Sequence, residues 1–210
     1  MTEVRSRPRY VPGPRRGDQR RAALLSALDG LLATRSLSQI GIAEITRAAG
    51  VTRSAFYFYF PSKAAAVAAL LSEFYDEMQH AAAGWYEGGP GTPLERLRTG
   101  FAATIALWHE RAGLLVAMLD AIGTDPEVRE IWSSWIDGFI DRIAVRVSEE
   151  RAAGLARGSA DPRALATVLM GAALIAMERD VRAIVAGEAP SDSLPTALLE
   201  TFHRAIYETG

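Results

Sequence analysis

Apolar residues recur every three or four positions along most of this chain, which is the spacing of a helix that buries one face. A stripe of leucines predicts a first helix from Asp18 onwards: Leu24, Leu28, Leu31 and Leu32. The longest stripe predicts an amphipathic helix in the second half: Trp132, Trp135, Ile136, Phe139, Ile143 and Val147. Because no run of alternating apolar and polar residues occurs, strands are not expected. The pattern therefore predicts an all-α fold.

Two short helices are predicted after the first one. The second helix covers 42–49 and ends at Gly50, the residue type best suited to the left-handed conformation after a helix. Thr52 is a good N-cap for a third helix over 53–59, which stops before the next proline. Two short helices joined by a glycine turn have the spacing of a helix-turn-helix unit.

The remainder of the chain is also predicted to be helical. A fourth helix, from about 62 to 86, connects the short helices to the rest. Two later helices begin at Asp125 and Asp161, because in each case the aspartate caps the helix and a proline takes the first helical position. The second of these is apolar nearly all round as far as Met177, which predicts a central or interfacial helix. A last amphipathic helix is expected over 196–207.

These elements divide the chain into three segments. Residues 1–16 combine prolines with five arginines and are expected to form a disordered basic arm. The first three helices form a head over 17–63, and about six further helices form a body over 64–210. The whole chain is thus expected to contain about nine helices.

Composition excludes several kinds of chemistry. The chain has no Cys, which excludes disulfides, thiolate zinc sites and cysteine nucleophiles, and its three histidines lie too far apart to predict a metal site. No motif that pairs a nucleophile with a base occurs, so neither catalytic residues nor a cofactor is predicted, and an enzyme is not expected. The longest uncharged apolar stretch of the second half, 164–177, is shorter than a membrane span, and no signal peptide opens the chain. We therefore expect a cytoplasmic protein with no membrane partner.

The net charge of −2 conceals a strong asymmetry. Residues 1–63 contain eleven basic and four acidic side chains, whereas the rest contains twelve basic and twenty-one acidic ones. Such a division favours a head that binds a polyanion on an acidic body. The alternative is a solvated basic tail without a partner.

A longer motif then becomes recognisable. Gly50-Val-Thr-Arg-Ser-Ala-Phe-Tyr-Phe-Tyr-Phe-Pro-Ser-Lys63, preceded by Ile42-Ala-Glu-Ile-Thr-Arg-Ala-Ala49, resembles the TetR family of transcriptional regulators over about residues 18–71. Within that family the aromatic motif, together with Met177-Glu-Arg179 and Ala186-Gly-Glu-Ala-Pro190, is similar to the branch of ethionamide-resistance repressors. The resemblance implies a three-helix head on a helical body, which encloses a small-molecule pocket and forms a homodimer through its last two long helices.

The candidate DNA-binding residues lie in and around the third helix. A recognition helix reaches base edges with its first turn, which here contains Thr52, Arg53 and Ser54. Arg53 is the one of these that can donate a bidentate pair to guanine. The other candidates are expected to contact phosphates, the two tyrosines by the family resemblance: Tyr57, Tyr59 and Lys63. The alternatives are a Tyr57 that is partly core and a Lys63 without a role.

Further cations of the head stay open. The arginines of the arm are expected to add a nonspecific attraction to the phosphate backbone: Arg5, Arg7, Arg9, Arg15 and Arg16. Members of the family usually have Thr or Ser where Gly41 stands, so a phosphate contact at that position is not carried over.

The candidate ligand site rests on the resemblance, because an aromatic stripe by itself is more often plain core. The family implies a long apolar channel between the body helices, here lined by Phe101, Thr104, Trp108, Trp132, Trp135, Phe139, Leu174, Met177 and Glu178. Leu174 and Met177 stand where the ethionamide-resistance branch offers amides, so a greasy effector is expected. The alternative for Glu178 is an ion pair with Arg179, Arg182 or another chain.

Taken together, the sequence is interpreted as a ligand-responsive transcriptional repressor. The expected partners are a near-palindromic double-stranded DNA operator, a small hydrophobic effector and a second copy of the chain. Two alternatives remain open: a small-molecule carrier or enzyme that uses the apolar cavity, and an architectural DNA binder that responds to no ligand.

Overall fold

The computed structural model describes the backbone of residues 16–208 and the side chains of residues 17–208. The predicted arm, 1–16, lies outside this range except for the backbone of Arg16. The described residues contain no strand, and the fold is all-α as predicted. Its α-helices are α1 Arg16–Leu32, α2 Ile42–Ala48, α3 Arg53–Tyr59, α4 Lys63–Ala81, α5 Ala83–Tyr86, α6 Pro93–Glu110, α7 Ala112–Ile122, α8 Pro126–Ala152, α9 Pro162–Val185 and α10 Ser193–Tyr207.

The predicted helix ends in the head follow from local chemistry. Gly50 adopts φ +66°, the left-handed conformation that ends α2. The Thr52 hydroxyl accepts a hydrogen bond from the N–H of Ala55 at 3.2 Å and so caps α3. Around these turns Leu28, Ile45 and Phe56 are fully buried and form the centre of the head.

The body helices begin as the sequence predicts. Asp125 accepts hydrogen bonds from Glu127 and Val128 at 3.0 and 3.2 Å, and Asp161 accepts one from Ala164 at 2.8 Å. In both cases proline holds the first helical position of α8 or α9. The helix α9 packs against α6, α7, α8 and α10, which agrees with its apolar sequence.

The fourth helix differs from its prediction. It ends at Ala81, and the stretch expected to continue to residue 86 is a separate short helix, α5. The bend turns the indole of Trp85 into the core, where its Nε1–H donates to the hydroxyl of Tyr207 at 3.1 Å. Because this partner is 122 residues away, helical periodicity alone does not reveal the break. The described residues therefore contain ten α-helices rather than about nine, plus one turn of 3-10 helix at Leu37–Gln39.

Besides α4, the corner between α6 and α7 joins the head to the body. Gly113, in the first turn of α7, lies directly against the carbonyl group of Leu32 at the end of α1. Arg111, between α6 and α7, forms an ion pair with Asp29 of α1 and a longer one, of 3.4 Å, with Glu77 of α4. Both contacts lie where α6 turns into α7, so this corner of the body holds the end of α1.

Among residues 16–208, no single helix is long and apolar enough to cross a membrane. Only α6 and α7 taken together, with a bend of 78° between them, have the length and composition of such a span.

The contact of Gly113 makes a prediction. In Gly113→Ala the new methyl group would overlap the carbonyl group of Leu32, so the end of α1 must shift. Overpacking of this kind lowers the free energy of unfolding by about 1–3 kcal/mol. Gly30→Ala is the matched control, because nothing lies within 4 Å of a Cβ there. Chemical denaturation should show a lower free energy of unfolding for Gly113→Ala and an equal or higher one for Gly30→Ala. Equal stability of Gly113→Ala and the native chain would contradict the contact.

Candidate nucleic-acid interface and body cavity

The outer face of α3 is exposed along its whole length. The buried side of this helix carries Phe56, followed by the buried Phe60, and both rings pack into the head. The opposite side exposes five residues: Thr52, Arg53, Ser54, Tyr57 and Phe58. Since residues four apart are neighbours on a helix, these positions form two adjacent rows after the N-cap.

The first row is formed by Arg53 and Tyr57. The guanidinium of Arg53 donates to the Tyr57 hydroxyl at 3.3 Å and lies 5.7 Å from the centre of its ring. Tyr57 is 47% exposed, and its ring also packs edge-on against the buried Phe56 with centres 5.7 Å apart, so it is partly core and its phosphate contact stays a prediction. Arg53 is itself exposed and has five N–H donors, so donors other than the one bonded to Tyr57 remain available for base recognition.

Tyr59 lies at a different edge of α3. Its ring is half-buried, and its hydroxyl lies against Gly17, where a Cβ would be 3.6 Å away. Gly17 belongs to the first turn of α1, and the free N–H groups of a helix N-terminus attract anions. A phosphate contact of Tyr59 stays a prediction.

Lys63 makes a contact that the sequence did not reveal. Its ammonium donates to the carbonyl oxygens of Leu37 and Ile40 at 2.8 and 2.7 Å. Two of its three N–H groups therefore fasten the 3-10 turn before α2 to the start of α4. These bonds give Lys63 a structural role within the head, and its phosphate contact stays a prediction.

Gly41 precedes α2 and has no side chain to cap it, but Glu44 in the first turn of the helix reaches back to the backbone of Gly41. The Glu44 carboxylate accepts from the N–H of Gly41 at 3.0 Å and from Arg35 at 2.8 Å. The hydrogen bond with Arg35, followed by that with Gly41, lowers the pKa of Glu44 to about 2. Because the folded-state pKa is lowered, the stabilisation is present above the ordinary pKa of 4.5 and is lost as the pH falls towards about 2.

Further cations surround α3. Arg20, Arg47 and Arg53 are exposed, and no acidic partner for them lies among residues 17–208. In contrast, Arg35 and Arg21 are paired with Glu44 and Glu73. The unpaired guanidinium groups give the head the local positive charge that a polyanion requires.

Seven helices of the body, α4 to α10, enclose an apolar cavity of about 100 Å³. Eight of the nine predicted ligand residues line it: Phe101, Thr104, Trp108, Trp132, Trp135, Phe139, Leu174 and Met177. The helices α6, α8 and α9 contribute these side chains, as the periodicity of their sequences indicates.

Glu178 does not belong to this lining. Its carboxylate pairs with the guanidinium of Arg182 at 2.9 Å, and Arg182 also contacts Asp120 at 3.2 Å. The prediction that Glu178 is the polar group of the cavity is therefore wrong, and the alternative of an ion pair with Arg182 is correct. On α9 it follows Met177 by one residue, which turns it about 100° away from the cavity.

Several lining residues were missed by sequence reasoning. Tyr75 of α4 stacks on Trp135 of α8 with ring centres 5.1 Å apart, and its hydroxyl is accommodated by Gly138, where a Cβ would lie 2.6 Å from it. The helices α5 and α10 contribute Trp85, Tyr86 and Phe202. The apolar stripe of α4 was a usable signal, whereas the contribution of α5 depends on the bend after Ala81.

One polar atom of the lining is left without a partner. The indole Nε1–H of Trp108 is buried and finds no hydrogen-bond acceptor among the described residues. An unsatisfied buried donor costs about 1–3 kcal/mol, so an acceptor that reaches it gains binding energy. The cavity therefore combines apolar walls with one available donor.

An exposed apolar face runs along α9 on the side away from the cavity. Val168 is 71% exposed and Ile175 is 65% exposed. They continue a stripe at helical spacing with Ala164 and Gly171, and a Cβ at Gly171 would meet nothing within 4 Å. Such a face is open to a close-packed partner helix.

A helix-turn-helix head on an all-α body with an apolar cavity is the architecture of bacterial one-component regulators. The similarity of this chain to known protein families agrees with that architecture. The family described as bacterial regulatory proteins, tetR family, matches residues 24–70, and that described as transcriptional regulator EthR, C-terminal domain, matches residues 97–208. The chain belongs to the TetR family of helix-turn-helix transcriptional regulators, and its C-terminal domain is of the EthR type.

Individual relatives support this assignment. The HTH-type transcriptional regulator EthR of Mycobacterium tuberculosis is 33% identical over 176 residues, which cover 83% of this chain and 80% of the relative. EthR of Mycolicibacterium smegmatis is 28% identical over 196 residues, or 92% of this chain and 88% of the relative. The structure of SmeT in complex with triclosan shares the fold, with a TM-score of 0.69 at 21% identity and coverage of 91% of this chain and 93% of that one. The relatives are regulators rather than enzymes, as expected for this chain.

The contact of Lys63 leads to a test. Lys63→Met leaves two carbonyl groups without their donor and should lower the free energy of unfolding by about 1–3 kcal/mol. Arg157→Met removes an exposed positive charge in the body and should leave stability unchanged. If Lys63→Met keeps full stability while the slope of log affinity for DNA against log salt falls by about one, the phosphate contact is the correct role after all.

Proposed function

We propose that the chain is a repressor that binds a near-palindromic operator as a homodimer and leaves it when a small apolar effector enters the body cavity. The observation that carries this proposal is the double role of α4. Its first residue, Lys63, is bonded to the head, and Phe74, Tyr75 and Met78 form one wall of the cavity. One helix thus contacts both the cavity and the head.

The operator is read by the exposed face of α3. Arg53 donates to guanine in the major groove, and Thr52 and Ser54 lie beside it at the start of the helix. A dimer presents two such helices, so the half-sites lie about 34–36 Å, or a multiple of this distance, apart. A two-fold symmetric protein then requires a near-palindromic sequence.

The dimer is proposed to form through α9 and α10. The stripe of Val168, Gly171 and Ile175 supports this face. Val168 and Ile175 are exposed to water in the single chain, and only an assembly would bury them. The exposed side of α10 adds the small side chains of Ala197 and Thr201. Glycine on one helix and short side chains on the next allow the two copies to approach closely.

Entry of an effector must enlarge the cavity. At about 100 Å³ it is smaller than the roughly 300–1,000 Å³ typical of ligand pockets. Tyr75 has little room to move further towards α8, since it already stacks on Trp135 and its hydroxyl would lie 2.6 Å from a Cβ at Gly138. Expansion therefore displaces α4 outwards and carries the head with it.

A second connection runs along α6. Trp108 of the cavity wall lies one turn before Arg111, whose guanidinium is paired with Asp29 of the head. An effector that presses on Trp108 also displaces this ion pair. Both connections change the position of α1 and α3 relative to the body.

The effector itself is proposed to be apolar with one hydrogen-bond acceptor. The aromatic and aliphatic walls favour hydrocarbon, and the free Nε1–H of Trp108 favours a carbonyl or ether oxygen. Release requires that the effector binds the DNA-free conformation more tightly than the DNA-bound one. A complete switch needs a preference of about 10⁴-fold.

The DNA contact of Arg53 is tested by two substitutions. Both substitutions, Arg53→Ala and Arg53→Lys, should weaken binding to an operator selected from a random library of duplexes. The expected loss is roughly 5- to 150-fold, because a bidentate pair to guanine contributes about 1–3 kcal/mol. Binding of Arg53→Lys to random DNA should be unchanged, since the charge is kept. Fluorescence anisotropy with both duplexes measures the two affinities. An Arg53→Lys variant with native operator affinity would show that the fork of the guanidinium is not used.

The acceptor preference is tested with benzophenone and diphenylmethane, which differ in a single carbonyl group. The native protein should bind the ketone more tightly, by about tenfold, if the carbonyl satisfies the Trp108 donor. Trp108→Phe keeps an aromatic wall but leaves the ketone oxygen without a donor, so it should lose the preference for the ketone and bind the hydrocarbon at least as tightly. Quenching of the remaining indole fluorescence and calorimetry measure the binding. If Trp108→Phe retains the preference for the ketone, another group supplies the hydrogen bond.

A further inference from the structure

Phe58 is the most exposed large hydrophobic side chain among the described residues. Its exposed fraction is 80%, compared with 47% for the neighbouring Tyr57. The described contact of its ring is an edge with Tyr59, with centres 4.9 Å apart. Packing within the head therefore does not account for a phenylalanine at this position.

The neighbours of Phe58 define the partner that it meets. Ser54 lies one turn before it, and Arg53 and Tyr57 form the adjacent row on the same face. A second copy of this chain docked here would bring two Arg53 side chains together and is disfavoured by their like charge. Duplex DNA suits the same face, because Arg53 and Ser54 supply donors to its polar atoms.

We infer that Phe58 contacts the 5-methyl group of a thymine in each half-site. The thymine methyl is the apolar group that a base pair displays in the major groove, and phenylalanine is a suitable partner for it. Phe58 lies one position after Tyr57 and one turn after Ser54, so it reaches a base pair next to those read from the first turn. This assignment rests on the proposed reading of DNA by α3 and adds a specificity-determining residue to it.

The expected effect is moderate and measurable. Dehydration of one methyl group corresponds to about a fourfold change in affinity. Replacing thymine with deoxyuridine removes this methyl group alone and leaves the base pair intact. The comparison therefore separates the apolar contact from hydrogen bonding.

The experiment begins with selection of binding duplexes from a random library by the native protein. Each thymine of the enriched sequence is then replaced singly by deoxyuridine, and affinities are measured by fluorescence anisotropy at one salt concentration. One position in each half-site should lose about fourfold in affinity for the native chain. Phe58→Ala should bind the thymine and deoxyuridine duplexes equally, whereas Phe58→Leu, which keeps an apolar tip, should retain part of the difference.

Val145→Ala is the matched control, since it truncates another exposed apolar side chain, on α8, and should leave the thymine dependence unchanged. Thermal unfolding of Phe58→Ala should match that of the native chain because the ring is exposed. The inference is overturned if no deoxyuridine substitution weakens native binding, or if Phe58→Ala keeps the native sensitivity. An experiment that enriches no sequence would instead contradict operator binding itself, and this inference with it.

Discussion

The position of α4 is the constraint on which the rest of this structure depends. The helix is bonded to the head through Lys63 and pressed against α8 through Tyr75, 12 residues later. The head and the wall of the cavity therefore share one helix. In the proposed mechanism these contacts link recognition of DNA to occupancy of the cavity, and the ion pair of Arg111 with Asp29 is a second link.

The state of the cavity explains why such a link is sensitive. Its walls are closely packed aromatic and aliphatic side chains around only about 100 Å³, and packed interiors are poorly compressible. A ligand therefore cannot enter by filling existing space alone. In the proposed mechanism, part of its binding energy separates helices, and this coupling makes a binding event in the body detectable at the head.

The elements whose ends depend on neighbouring residues were predictable from the sequence. Thr52, Asp125 and Asp161 cap their helices as their residue types indicate, and the apolar stripe of α8 faces the cavity. Contacts between distant residues were not predictable in this way. Lys63 contacts carbonyl groups more than 20 residues earlier, and Trp85, which follows the break before α5, donates to Tyr207. Glu178 illustrates a third case, since a shift of one position on a helix separates a cavity wall from a surface ion pair.

Transmission from the cavity to the heads is tested most directly by a distance between the two heads. The native chain has no Cys, so Ser26→Cys on the exposed side of α1 attaches one spin label to each head. Double electron–electron resonance on the dimer, with and without saturating benzophenone, then measures the distance between the two spin labels. We expect the distribution of distances to move when the ketone binds and to return when operator DNA displaces it. An unchanged separation in a dimer that holds the ketone and has lost its operator would contradict the transmission of motion through α4.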